Sequence, residues 1–385
     1  MASPANAAGK TRWVDDDGKA GTTTCSGSKT AYKSIQKAVS ASGAGDTVKV
    51  CPGTYVGPVT IKGARTGLVL RSVTAHGATI KARDEATFST TYLVTIQDVD
   101  NVTVKGFRIR PLLGTSHGYC DDSTGIRAIS ARSLSISGND IRPTGPGQFC
   151  GLNDGIIADD GSTGTIAGNA VKDYRDNGIA AIGAGTKVTI KDNTVTFAHL
   201  GFPSATAQSA ILMDYAGNAT VSGNTLNGPA AGPGNPSQPA AGIGMYGTTS
   251  ATSVHDNAIA RFASDIKILG ANGGKVYDNT LTGGQVGIDL LDGDQMDIHG
   301  NDSSSASLHG LYVAGPASGG GSDAQKSTGD NVHDNDFRSA SNGSAHDCQG
   351  ETAATVAASN GNTFDQNKGN SSSPAALCDY TTPVP

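Results

Sequence analysis

Val254-His255-Asp256-Asn257-Ala258-Ile259 is followed by Val276-Tyr277-Asp278-Asn279-Thr280-Leu281 and then by Ile298-His299-Gly300-Asn301-Asp302-Ser303. The three asparagines stand 22 residues apart, each after Gly or Asp. The same signature recurs at Asn139, Asn169, Asn193, Asn224, Asn335 and Asn362, with an apolar residue two places later at every position except Asn301, where Ser303 stands. A fixed period of this length marks a stacked repeat. About 22 residues hold three short strands and their turns, one coil of a parallel β-solenoid. The asparagines are then expected to stack in one turn and to hydrogen-bond along the axis. Longer intervals need only added loops.

A second pattern accompanies the first. Gly125-Ile126-Arg127-Ala128, Gly155-Ile156-Ile157-Ala158, Gly178-Ile179-Ala180-Ala181, Ala210-Ile211-Leu212-Met213, Gly242-Ile243-Gly244-Met245, Asp265-Ile266-Lys267-Ile268, Gly287-Ile288-Asp289-Leu290 and Gly310-Leu311-Tyr312-Val313 share one layout. Alternation sends their second and fourth residues into a core and their third and fifth outward. The outward set reads Arg127, Asp159, Asp214, Tyr246, Lys267 and Asp289, with Asn153-Asp154 and Asp176-Asn177 just ahead of two strands. Rungs about 4.8 Å apart present these side chains at a spacing close to that of the sugars in an extended polysaccharide.

The N-terminal segment reads differently. Trp13-Val14-Asp15-Asp16-Asp17-Gly18 is a strand running into a turn, and Tyr32, Ile35, Ala38 and Val39 fall on one helical face before Gly43. A solenoid exposes apolar core and strand edges at its end, and an amphipathic helix covers them. The expectation is an N-terminal cap over 1–56, with Trp13 in its core, continuous with a solenoid over 57–385 as a single domain.

Composition narrows the function. The chain has 385 residues, 53 of them Gly, and a net charge of −6 with no Lys/Arg run. No nucleic-acid partner and no membrane partner are expected. The only glutamates are Glu85 and Glu351, so a catalytic carboxylate is expected to be Asp. Six cysteines without C-x-x-C spacing point to structural disulfides and an oxidising compartment; the expected pairs are Cys25–Cys51, Cys120–Cys150 and Cys348–Cys378. The small-residue start, Met1-Ala2-Ser3-Pro4, reads as the edge of a mature secreted protein with a start Met in place of its signal.

The cap and the rungs together resemble the right-handed parallel β-helix proteins, among them pectate lyases, polygalacturonases and alginate-modifying enzymes. The resemblance covers nearly the whole chain and implies an all-β solenoid with an N-terminal capping helix. It implies an extracellular enzyme acting on a polysaccharide. Asn153-Asp154-Gly155-Ile156 resembles the Asn-x-Asp-Gly element of polygalacturonases, which implies a hydrolase using Asp159, Asp176 and Asp214, with His199 nearby. Against this, Asn177 replaces an Asp, the Gly-His-Gly element is absent, and Lys267 comes late in the chain.

Asp265-Ile266-Lys267-Ile268-Leu269-Gly270 resembles the base-bearing strand of uronate lyases, with Asp154 and Asp176 matching their calcium ligands. This implies β-elimination on an acidic polysaccharide, with Asp176, Asp214, His199, Lys267 and Arg127 as catalytic candidates. Asp159, Tyr246, Asp289 and Asn177 are the substrate-binding candidates, Ca2+ is the expected cofactor, and no organic cofactor is implied. Lys267 lies three rungs from Asp176, too far to share one sugar, so Arg127, His199 or Tyr246 are the alternative bases. A C5-epimerase shares the proton abstraction, and a non-catalytic adhesin is the alternative outside enzymes. A monomer is expected. The segments 111–124, 142–153, 196–209 and 227–241, with His117, Tyr119, Phe149, His199 and Phe202, are expected to wall the binding face.

Overall fold

The computed structural model describes residues 9–82, 91–111, 123–143, 152–197, 209–229, 241–314, 327–338, 347–350, 362–373 and 377–380. Contacts divide the chain into two compact units, 1–175 and 176–385. Each is a stack of coils whose strands fall mainly into three parallel sheets, faces A, B and C, beside a short antiparallel pair of Lys19–Ala20 and Lys29–Thr30 in the first unit.

In the first unit, face A contains Thr11–Val14, Thr47–Val50, Val69–Ser72, Thr103–Lys105, Leu134–Ser137 and Thr163–Ala167. Face B contains Gly53–Val56, Ala78–Lys81, Arg108–Arg110, Asp140–Ile141 and Ala170–Lys172. Face C contains Val59–Lys62, Thr91–Gln97, Ser123–Ile129 and Leu152–Asp159. Stacking therefore reaches back to Thr11–Val14, which pairs in parallel with Thr47–Val50 ahead of the asparagine repeat.

In the second unit, face A runs from Lys187–Lys191 to Thr363–Asp365, and face B from Thr194–Thr196 to Asp302–Ser305. Face C includes Ser209–Asp214, Ala241–Tyr246, Ser264–Leu269, Val286–Leu291 and His309–Ala314. Its inward residues Ile211, Met213, Ile243, Met245, Ile266, Ile268, Ile288 and Leu290 are fully buried. Each such side chain contributes about 1.5–3 kcal/mol, so the apolar-x-apolar pattern fixes which residues face out.

The asparagine ladder runs through the turn from face A to face B. In the second unit the backbone N–H of each residue donates to the side-chain oxygen of the next, from Asn193 through Asn224, Asn257, Asn279, Asn301 and Asn335 to Asn367. Asn362 is a correction: it lies ahead of a face A strand, where its side chain binds the Asp330 N–H and the Ser327 carbonyl. The residue before each ladder Asn has positive φ, near +55° at Asp192, Asp256, Asp278 and Asp334 and near +65° at Gly223 and Gly300. That left-handed geometry is why only Gly or Asp precedes the expected members. Gln366 takes it before Asn367 (φ 54°), a residue type outside the repeat signature.

The N-terminal helix spans Ile35–Ser40, with Ser34 as its N-cap and Ile35, Ala38 and Val39 buried. Tyr32 is not on it; it bridges to Val14 instead. The Gln36 side chain accepts from the Thr60 N–H at 2.6 Å, so the helix occupies a backbone donor of the first face C strand. Disulfides join Cys25 to Cys51 and Cys348 to Cys378. Cys120 and Cys150 lie outside the described residues.

Candidate functional site

The outward column on face C of the second unit follows from its register. Gly244, Lys267, Asp289 and Tyr312 stand on successive strands at one level. Tyr246 stands two residues further along its strand, and Ser264 and His309 sit three residues before Lys267 and Tyr312. The paired register skips one position near the start of each strand, at Gly242, Asp265, Gly287 and Gly310, and at the three glycines space for a side chain is short. A Cβ on Gly242 would lie 2.4 Å from Ile259 Cγ2. Gly244 leaves room of another kind: a Cβ there would lie 3.2 Å from Tyr246 Cζ, so the Tyr246 ring leans back to the level of Lys267.

Lys267, Val286, Asp289, Leu291, His309 and Tyr312 line a cavity of about 370 Å³. Lys267 Nζ lies 3.9 Å from Asp289 Oδ2, and Ser264 Oγ donates to the same oxygen at 3.0 Å. Burial raises the Asp289 carboxyl above its ordinary range, with Lys267, Ser264 and His309 pulling the other way. The His309 and Tyr312 rings stack with centroids 5.6 Å apart. Burial also raises the Tyr246 phenol, opposed by the Ser209 hydroxyl and helped by the charges of Asp289 and Asp214, so Tyr246 stays protonated at neutral pH. The pocket and its rim thus gather one cation, one shielded carboxyl, one imidazole and two phenols.

The structure brings Lys267 together with Asp289, but not with Asp176 or Asn177. Asn177 aligns with Ser209, Ala241 and Ser264 on successive strands, which places it three rungs, about 14 Å, from the Lys267 strand. Asp214 aligns with Ile182, six residues along the strand from Asp176, or roughly 20 Å. Asp176 and Asp214 are therefore not an acid–base pair, because strand direction separates them. Burial raises the Asp214 carboxyl, against a hydrogen bond from the Tyr215 N–H.

In the first unit, Arg127 donates to Asp159 Oδ2 through Nε at 2.9 Å and Nη2 at 2.5 Å. It also donates to the Tyr92 hydroxyl and lies over the Tyr92 ring. Burial disfavours its charge, but the bond to Asp159 and that carboxylate's charge more than offset this and raise its pKa. Arg127 is thus a fixed cation here, which suits anion binding and opposes the role of base. Asp154 is buried, and Arg175 donates to Asn153.

Among the described residues, neither Asp154 nor Asp176 belongs to a group of three or more close His, Cys or acidic ligands. Asp15, Cys25 and Cys51 form such a group, but both sulfurs are consumed in the disulfide. His199, with His117, Tyr119, Phe149 and Phe202, lies outside the described residues. Sequence reading missed His309, Tyr312, Ser264 and Tyr92. The third-position rule applied to Gly310-Leu311-Tyr312-Val313 returns Tyr312; His309 and Ser264 precede the skipped position, where simple alternation fails.

The family model for the right-handed beta helix region matches residues 54–259, and the chain belongs to that family. No curated protein sequence matches it. Among solved structures it resembles a polygalacturonase from Erwinia carotovora ssp. carotovora, with TM-score 0.56, 12% identity, and coverage of 91% of this chain and 96% of that one. It resembles a GH136 lacto-N-biosidase from Eubacterium ramulus, with TM-score 0.58, 13% identity, and coverage of 93% and 67%. The A-module of a mannuronan C-5 epimerase from Azotobacter vinelandii gives TM-score 0.50, 14% identity, and coverage of 87% and 88%. At these identities the likeness is one of fold, and one fold hosts many chemistries. No helix among the described residues is long and apolar enough to cross a membrane.

Proposed function

We propose that the protein is a carbohydrate-active enzyme that cleaves an acidic polysaccharide by β-elimination on face C, beside Lys267. The observation that carries this reading is the Lys267 pocket, where a cation, an imidazole and a phenol converge, with no close carboxylate pair among the described residues. The structural neighbours include a polygalacturonase, a lacto-N-biosidase and a mannuronan epimerase, which supports a saccharide substrate.

In this mechanism the Lys267 ammonium leaves Asp289 and pairs with the uronate carboxylate. Neutralising that carboxylate acidifies the C5 proton. The His309 imidazole takes the proton, the electrons form the C4–C5 double bond, and the C4–O bond breaks. A phenol, Tyr312 or the protonated Tyr246, donates a proton to the departing oxygen. Asp289 holds Lys267 in position before substrate arrives.

Hydrolysis is the second reading, favoured by the raised carboxyls of Asp214 and Asp289. Their strands stand three rungs apart, about 14 Å. An inverting pair needs roughly 6.5–9.5 Å, so elimination is preferred. The test is incubation with a panel of uronans. Elimination produces unsaturated-uronate absorbance; new reducing ends without it support hydrolysis, inverted C5 configuration without cleavage supports an epimerase, and binding without any product supports a non-catalytic adhesin.

A further inference from the structure

Face A of the first unit carries a row of charges that the pocket does not use. Trp13 aligns with Lys49, Lys49 with Arg71, and Arg71 with Lys105 on four successive parallel strands. Their strand neighbours Val14, Val48, Val50, Leu70 and Val104 are fully buried, so alternation turns the row outward. Arg71 and Lys105 are exposed, and Lys49 and Trp13 are half-buried. Trp13 thus stands on the outer surface rather than in the core of the cap.

Three cations on adjacent rungs repel one another, and like charges opposite each other destabilise a sheet. Among the described residues, none of the three forms an ion pair, whereas Arg12, Arg110 and Arg127 each have an Asp partner. The adjacent outward column, Thr47, Val69, Thr103 and Ser135, holds no carboxylate. Lys49 Nζ lies 5.1 Å from the centroid of the Trp13 ring, which sits at the end of the row. An uncompensated cationic ladder in a chain of net charge −6 is a local feature that the overall composition conceals.

We propose that Trp13, Lys49, Arg71 and Lys105 form a second binding surface, for an extended polyuronate chain lying along the stack. Cations repeat about every 4.8 Å, which suits a polymer with one carboxylate per sugar at a similar repeat, and Trp13 offers a ring against which a terminal sugar packs. This surface rests on the acidic-polymer reading of the proposed function but uses a different face and none of the pocket residues. It holds the polymer without cleaving it.

The probe is polygalacturonate, with dextran as the neutral control and single-stranded DNA as the alternative polyanion. The protein is the Lys267→Met variant, so binding is read without turnover. Expected is retardation in polygalacturonate gels but not in dextran. The combined variant K49Q/R71Q/K105Q weakens binding at least tenfold and lowers the slope of log affinity against log salt by about two to three, as lost cation contacts require. Arg71→Gln alone gives a smaller loss of the same sign, and unchanged circular dichroism shows that both variants fold. Absence of binding, unchanged binding by the combined variant, or equal affinity for DNA overturns the proposal. If the row binds but no uronan is cleaved by the unmodified protein, only the reading of the pocket fails.

Discussion

Truncating Asn279 to Ala removes the centre of the buried ladder. Its side-chain oxygen accepts from the Asn257 N–H at 3.1 Å and from Asn257 Nδ2 at 2.9 Å. Its Nδ2 donates to the carbonyls of Val254 and Tyr277, each at 3.0 Å, and to Asn301 Oδ1 at 2.9 Å. Asn257 Nδ2 keeps the carbonyls of Val221 and His255, and Asn301 Oδ1 keeps the Asn279 N–H. The Asn257 N–H is left without its acceptor in a buried site, at a cost of about 1–3 kcal/mol. Two lost bonds to backbone carbonyls add about 1 kcal/mol each. The expected loss is therefore about 3–5 kcal/mol. Urea unfolding followed by circular dichroism measures it, and hydrogen exchange at the Asn257 amide locates it. Asn272→Ala, an exposed change on a nearby strand, is the control and is expected to stay within about 0.5 kcal/mol of the parent. A loss below about 1 kcal/mol with unchanged Asn257 exchange would refute the ladder's role.

Other perturbations test other parts of the structure. Burial raises Asp330 from 3.8 to about 7, so its stabilising contribution is fully present below pH 3.8 and is lost as pH rises through 7. Asp330→Asn removes that dependence, and its stability relative to the parent should rise by on the order of 3–4 kcal/mol between about pH 4 and pH 8, read from urea midpoints. Gly242→Ala places a Cβ 2.4 Å from Ile259 Cγ2 and 2.6 Å from the Asp265 carbonyl oxygen, and overpacking should cost about 1–3 kcal/mol in the same assay. Replacing both Cys25 and Cys51 by Ser opens a link between residues 26 positions apart and should cost about 3 kcal/mol.

The fold was legible because it repeats. Strand after strand shares one alternation, and the asparagine turn recurs because its left-handed position admits few residues. The ladder's last member escaped because Gln366 holds that position and Asn362 matches the signature in another turn. The site was legible only in part. Alternation identified Lys267, Asp289 and Tyr246 as outward, but could not show that Asp176 and Asp214 occupy opposite ends of neighbouring strands. It also missed Ser264 and His309, because the register skips the residue after each and simple counting then puts them on the wrong side. Arg127 illustrates another limit: its residue type suits several roles, and only its contacts with Asp159 and Tyr92 define it as a fixed cation.

The proposed chemistry stands or falls on one comparison: uronan cleavage by the parent protein and by Lys267→Met, followed through unsaturated-uronate absorbance. The parent should produce that absorbance on at least one acidic polysaccharide and none on neutral glucans, while Lys267→Met should lose roughly a hundredfold or more in kcat/KM with its fold intact. Parent activity that survives Lys267→Met unchanged, or reducing ends released without absorbance, would contradict elimination at this pocket.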